Sequence, residues 1–173
     1  MTACINGINA RHAINFKIKK ENITKLLMVF TGLCMIVKNE AHVIERSLRS
    51  ALTRPFMSTW VIVDTGSTDE TMDIIRKTAE DLGKPGFLYQ APWVNFAVNR
   101  TEALVLARAH MDFIWMLDAD DTLDGDLAAT VSFDSAVAGY YSTIRYNGIT
   151  MQRIQIFNGA FPWHYVGAVH EYP

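Results

Sequence analysis

Cysteine is nearly missing from this chain: Cys4 and Cys34 are the only two, and no CxxC pair can be formed from them. Cysteine-rich zinc sites and dithiol redox exchange are thereby excluded, and the scarcity points weakly to a reducing compartment. Long apolar runs are missing too. The stretch Leu26 to Phe30 and the run around Leu33 to Val37 are broken by Thr31, Gly32 and Lys38, far short of the roughly 20 residues of a membrane helix. No basic region followed by an apolar core opens the sequence, so no export signal is read. The 16 Lys plus Arg and 18 Asp plus Glu leave a formal charge of −2 with no dense basic block, which argues against nucleic acid as a partner. Lys17, Lys19, Lys20 and Lys25 ahead of Leu26 keep contact with an anionic membrane surface open. Two nucleotide signatures are also absent, GxGxxG after the first strand and GxxxxGK[ST], which removes a standard dinucleotide site and a P-loop.

Half of the 173 residues are apolar, enough for one domain with a substantial core. We expect residues 1–31 to be an N-terminal extension and 32–173 to form the domain, incomplete at its C-terminal end. Within it, strand, turn and helix follow one another. A strand ends near Val37, and a helix over about Ala41 to Leu52 repeats Val43, Ile44, Leu48 and Leu52 at helical spacing until Pro55. The strand Trp60 to Val63 leads to a helix over Glu70 to Glu80, with Met72, Ile75 and Ala79 on one face. Phe87 to Gln90 reads as a strand, Asn95 to Ala109 as a helix and Phe113 to Leu117 as a buried strand. Four such alternations predict an α/β fold with a Rossmann-like, doubly wound, mostly parallel sheet. A small β-rich segment follows near the C-terminus: Gly139 to Tyr146 and Thr150 to Phe157 flank Asn147-Gly148, a favourable hairpin turn, and read as a lid or side ribbon.

The chemistry concentrates where Phe113 to Leu117 ends in Asp118, Asp120 and Asp121. Carboxylates crowded at the carboxyl end of a buried strand repel one another unless a cation, water or donors compensate them, and in an open parallel sheet that edge is where ligands bind. Asp120, with Asp118 directly or through water, suits a hard divalent cation such as Mg²⁺ or Mn²⁺. Asp121 reads either as a group that orients the loop or hydrogen-bonds the transferred group, or as a solvated acid. A calcium loop fails, because Thr122, Leu123 and Ala129 stand where its ligands and glycine belong. Asp64 closes the second strand in VIVDTGSTDET and can accept hydrogen bonds from a ribose or a base, with Gly66 allowing a tight turn and Ser67 or Thr68 capping the next helix. The plain alternative is a well-capped strand-to-helix connection.

Four segments in order, CMIVKNE (Cys34 to Glu40), VIVDTGSTDET (Val61 to Thr71), WVNFAVNRTEAL (Trp93 to Leu104) and WMLDADD (Trp115 to Asp121), resemble the family 2 glycosyltransferases. The likeness is to the bacterial branch whose nucleotide-sugar domain begins with a KNE segment. WHYVGAVHE (Trp163 to Glu171) is similar to that family's late active-site segment. The resemblance implies a GT-A fold, an Asp-x-Asp metal motif at Asp118 and Asp120, and transfer of a sugar from a nucleotide-diphosphate donor, UDP-sugar first, with inversion at the anomeric carbon. It places Ile36, Val37 and Asn39 on the nucleotide side, Asp64 and Asp118 at the nucleoside, and Asn95 and Arg100 along the donor cleft. Thr65 stands where many members carry a second acid, which puts that acid's base contact in doubt.

An inverting transfer needs an acid or imidazole on the acceptor side to take the hydroxyl proton. Glu171 is the first candidate, and His170 is the alternative base or a metal ligand. His164 and His170 also read as ordinary hydrogen-bonded histidines, Trp163 and Tyr165 as sugar platforms or core, Arg100 as a diphosphate partner in preference to a surface cation, and Asn39 as a loop organiser or a helix cap. The implied partners are the donor and a saccharide, lipid-linked or protein acceptor, and the implied location is the cytoplasm or the inner membrane face. Two alternatives stand beside this. One is a nucleotide-binding domain without turnover. The other is a haloacid-dehalogenase-like phosphatase through Asp118-Ala119-Asp120-Asp121-Thr122, although that signature normally follows the first strand.

Overall fold

The computed structural model describes residues 2–4, 29–125, 132–167 and 171–173. Eleven elements follow in chain order: β1 (Thr2–Cys4), β2 (Thr31–Val37), α1 (Ile44–Leu52), β3 (Met57–Asp64), α2 (Thr71–Asp81), β4 (Gly86–Gln90), α3 (Phe96–Ala107), β5 (Phe113–Met116), β6 (Thr122–Asp124), β7 (Gly139–Tyr146) and β8 (Ile149–Asn158). They build one mixed sheet in the order β4-β3-β2-β5-β8-β7-β1-β6. Its first four strands are mutually parallel, as the alternation of strands and helices requires. Chain progression moves outward from β2 to β3 and β4, then returns to place β5 on the other side of β2. The carboxyl ends of β2 and β5 therefore flank the switch point of the sheet, where connecting loops diverge and leave a crevice.

The parallel strands are apolar without interruption because both of their faces are covered. Along β2, Leu33, Met35 and Val37 face a core formed with Ile44, Leu48 and Leu52 of α1 and Ile75 of α2, whereas Cys34 faces Ala103, Leu104 and Ala107 of α3. The alanines of α3 let that helix lie close to the sheet. Burial pushes the Cys34 thiol well above its ordinary range, which leaves it inert as a nucleophile. Among the described residues no helix is long and apolar enough to cross a membrane.

The segments read as a lid or side ribbon are instead part of the sheet. β8 runs antiparallel to β5, with Ile114 opposite Phe157 and Trp115 opposite Ile156, and β7 pairs with β8 around the Asn147-Gly148 turn. Ile156 and Phe157 are fully buried, one in each core, so hydrophobic burial draws the hairpin against β5. α1 also begins later than its periodicity suggests, because residues 41–43 form a turn in which Val43 and Ile44 donate to the Glu40 carbonyl.

One close approach carries a stability prediction. A Cβ on Gly86 would stand 2.2 Å from Trp60 Cδ2, and the Trp60 indole is held in place by donating to the Lys84 carbonyl at 3.0 Å. Gly86→Ala is expected to destabilise the fold by about 1–3 kcal/mol, the usual range for overpacking. Denaturant unfolding measures it, and an unmoved midpoint would mean that Trp60 does not lie over Gly86.

Candidate functional site at the switch point

The loops after β2, β3, β4 and β5 meet at the carboxyl edge of the parallel strands. The first two are stitched together through backbone donors. Asn39 N donates to Ser67 Oγ at 2.9 Å, Glu40 N to Thr71 Oγ1 at 2.8 Å, and Ala41 N to Asp69 Oδ2 at 3.2 Å. In return Asn39 Oδ1 accepts from Thr68 N at 2.7 Å. Asn39 takes a positive φ of 56°, which asparagine tolerates better than most side chains. It is a loop organiser and not the cap of α1, whose N-cap is Val43. Ser67 and Thr68 likewise do not cap α2: Asp69 Oδ1 accepts from Thr71 N at 3.1 Å and bonds its hydroxyl, which holds the Asp69 carboxyl below its ordinary range.

Asp64 is fully buried at the end of β3. Its Oδ2 accepts from Gly66 N at 3.1 Å and Ser67 N at 3.0 Å, and Gly66 supplies the turn with φ 104°. Its Oδ1 makes no hydrogen bond to any described residue, although Asp64 lines a cleft of about 320 Å³ with Gly66, Gln90, Ala91 and Pro92. A buried acceptor left unpaired is costly, and a ligand donor would satisfy it. A second cleft of about 300 Å³ is contributed by Ile36, Val37, Lys38 and Glu40 on one side and Thr65, Trp93 and Phe96 on the other. Thr65 does not stand in for a second acid; its Oγ1 donates to the Val37 carbonyl at 3.0 Å.

α3 supplies the cation. Arg100 Nη2 donates to Asp118 Oδ1 and Arg100 Nη1 to Glu171 Oε1, joining two acids that are far apart in the chain. Arg100 is 6% exposed and its guanidinium lies near the rings of Phe96 and Tyr165, so the surface-cation reading of Arg100 is overturned. Asn95 is the N-cap of α3, its Oδ1 accepting from Val98 N at 2.9 Å. Tyr165 belongs to the core, edge-on to Phe157, with its backbone N–H bound to Thr101 Oγ1 at 2.9 Å. His164 is exposed. His170 lies outside the described residues.

The acid loop after β5 is strapped to α1. Arg46 Nη2 donates to the Asp120 carbonyl at 3.2 Å, Ser50 Oγ accepts from Leu123 N at 2.9 Å, and Arg54 Nη2 donates to the Leu123 carbonyl at 2.7 Å. Asp120 is exposed and Asp121 is 1% exposed, so the solvated-acid reading of Asp121 fails. Burial first, and then the Asp118 charge, raise the Asp121 carboxyl to about 6. Burial and the Asp120 charge also push Glu40 up. Among the described residues no group of three or more His, Cys, Asp or Glu side chains could hold a metal ion by itself. What Asp118 and Asp120 offer is a pair of hard carboxylate donors, which fits a cation that completes its shell with phosphate oxygens and water.

Two features had escaped notice in the sequence. Asn99, buried inside α3, accepts from Val94 N at 2.9 Å and donates to the Pro92 carbonyl at 3.0 Å, fixing the loop after β4; a lone amide within an apolar helix was the available signal. Arg153 of β8 reaches Asp118 Oδ2 at 3.4 Å, and its only trace in the sequence is a charge next to the apolar stretch of β8.

A curled mixed sheet whose parallel half carries acids at the switch point defines a GT-A-like α/β fold. Residues 33–169 match the family described as "Glycosyl transferase family 2", and the chain belongs to that family. The phosphatase reading of Asp118 to Thr122 is thereby dropped. The chain is 34% identical to the succinoglycan biosynthesis protein ExoU of Rhizobium meliloti (strain 1021) over 53% of its own length and 27% of that protein's. Among solved structures, S. aureus TarS 1-349 in complex with UDP is 23% identical with a TM-score of 0.45, covering 52% of this chain and 27% of that one. The mannosyltransferase PcManGT from Pyrobaculum calidifontis, in complex with GDP-Man and Mn²⁺, is 24% identical with a TM-score of 0.46, covering 55% and 28%. The chain thus spans little more than a quarter of the length of these relatives.

Proposed function

We propose that this chain binds a nucleotide-diphosphate sugar along the carboxyl edge of β2, β3 and β5 and transfers the sugar, with inversion, to an acceptor hydroxyl. The observation that carries the reading is the buried Asp64 Oδ1, without a hydrogen bond to any described residue, beside a cleft at the sheet edge where β5 runs into Asp118 and Asp120, with Glu171 tied to Asp118 through Arg100. Asp64 accepts a hydrogen bond from the nucleoside, a base N–H or a ribose hydroxyl, while Ile36, Val37 and the loop shaped by Asn39 form the adjoining wall. Asn95 holds the start of α3 against that cleft. The similarity to a succinoglycan biosynthesis protein supports a saccharide acceptor.

Asp120 and Asp118 are the residues that would hold Mn²⁺ or Mg²⁺, with His170 as a further ligand or an alternative base. A bound divalent cation supplies charge neutralisation to a departing diphosphate. Arg100 orients Glu171 by donating to Oε1. Glu171 takes the acceptor proton as that oxygen forms its bond to the anomeric carbon and the carbon–phosphate-oxygen bond breaks on the opposite face.

Calorimetry of UDP, GDP and dTDP with and without Mn²⁺ tests the site. Because two carboxylates alone make an incomplete shell, Mn²⁺ is expected to bind weakly by itself and to enhance nucleotide binding. Asp120→Ala is expected to reduce that metal-dependent binding by on the order of tenfold or more. Folded wild-type protein that binds none of the three nucleotides would sink the assignment.

A further inference from the structure

The two arginines on Asp118 are held very differently. Arg100 is buried, with Cζ 5.4 Å from the Phe96 ring centroid and 5.7 Å from that of Tyr165, and its other terminal nitrogen is taken by Glu171. It has no room to move. Arg153 approaches from the other side of the acid. β8 runs antiparallel to β5 with Ile156 opposite Trp115; Arg153 precedes Ile156 on β8, and Asp118 follows the end of β5. Their contact, Nη2 to Oδ2, is 3.4 Å long, beyond the usual hydrogen-bond range, and the Arg153 side chain is 35% exposed. An ion pair that long and that exposed is readily given up.

We propose that Arg153 is an exchangeable cation of the donor site: without nucleotide it rests on Asp118 Oδ2, and with nucleotide it moves to the diphosphate and releases that oxygen. The inference rests on the nucleotide-diphosphate reading of the site. A diphosphate carries more negative charge than one carboxylate and offers paired oxygens that match the guanidinium fork, so the exchange runs toward the phosphate. Once Arg153 has left, Asp118 Oδ2 faces the site without a competing guanidinium and is a better ligand for a cation. Diphosphate and divalent cation then favour each other's binding through one side chain, and that coupling is reciprocal.

The test uses Arg153→Ala and Arg153→Lys in the full chain, with calorimetry of the tightest binder among UDP, GDP and dTDP and of its own nucleoside as the phosphate-free control. In R153A the nucleotide is expected to lose about tenfold in affinity, as the loss of a charge-assisted hydrogen bond predicts, while the nucleoside stays within about twofold. R153K, which keeps the charge without the fork, recovers part of the loss. The enhancement of nucleotide binding by Mn²⁺ shrinks in R153A, because Asp118 Oδ2 is already released. Equal losses for nucleotide and nucleoside would reveal a merely structural role, and unchanged nucleotide affinity or unchanged Mn²⁺ enhancement would each overturn the exchange. Failure of the nucleotide reading looks different: wild-type protein then binds neither probe.

Discussion

Replacing Arg100 by methionine is expected to lower stability by about 3–5 kcal/mol, the usual cost of removing one partner from a buried ion pair. For a chain of this size that corresponds to a fall in melting temperature of roughly 6–20 °C. The size of the effect follows from what remains behind. Glu171, 9% exposed at its side chain, loses the guanidinium that neutralises it, and Asp118, 22% exposed, keeps among the described cations the long contact to Arg153. The methionine fills the space between Phe96 and Tyr165, so loss of packing is a minor part of the change. The double substitution R100M/E171Q is expected to recover part of the loss, because glutamine leaves no uncompensated charge. Thermal unfolding followed by circular dichroism measures both proteins. An R100M melting temperature within about 2 °C of wild type would mean that Arg100 does not tie the two acids together.

Glu171→Gln is expected to slow sugar transfer by about 10²–10⁴-fold, the usual contribution of a general base. Glutamine still accepts the Arg100 hydrogen bond through its amide oxygen, so the cluster keeps its shape while the proton acceptor disappears. Nucleotide affinity is therefore expected to stay within about threefold of wild type, which separates a loss of chemistry from a loss of binding. Donor hydrolysis, in which water takes the place of the acceptor, provides a readout that needs no knowledge of the acceptor. A variant that hydrolyses donor at the wild-type rate would remove Glu171 from the role and leave His170 as the next group to replace.

These expectations draw on parts of the chain that were legible to different degrees. The four parallel strands and three helices lie close to where periodicity placed them, because continuous apolar runs and helical spacing are local signals of burial on two faces or on one. Asp64 and Asp118 were visible for the same reason: each ends an apolar strand, and parallel strands bring their ends to one edge. The hairpin of β7 and β8 was misread because alternation and an Asn-Gly turn describe a ribbon equally well inside a sheet and beside one. Only the burial of Ile156 and Phe157 against β5 distinguishes them. The motif VIVDTGSTDET suggested helix capping at Ser67 and Thr68, yet Ser67, Thr68, Asp69 and Thr71 bond the loop after β2.

The amino-acid sequence by itself determined the class of fold and the edge of the sheet at which Asp64, Asp118 and Asp120 stand, since these follow from short-range patterns. The tertiary structure alone decided that Arg100 reaches Glu171, 71 residues away, and joins it to Asp118, that Asp121 is buried and not solvated, and that Arg153 meets Asp118. The physical reason is that a charge acquires its role from the charges and the dielectric around it. Those surroundings are set by strand order and register, which no local pattern of residues records.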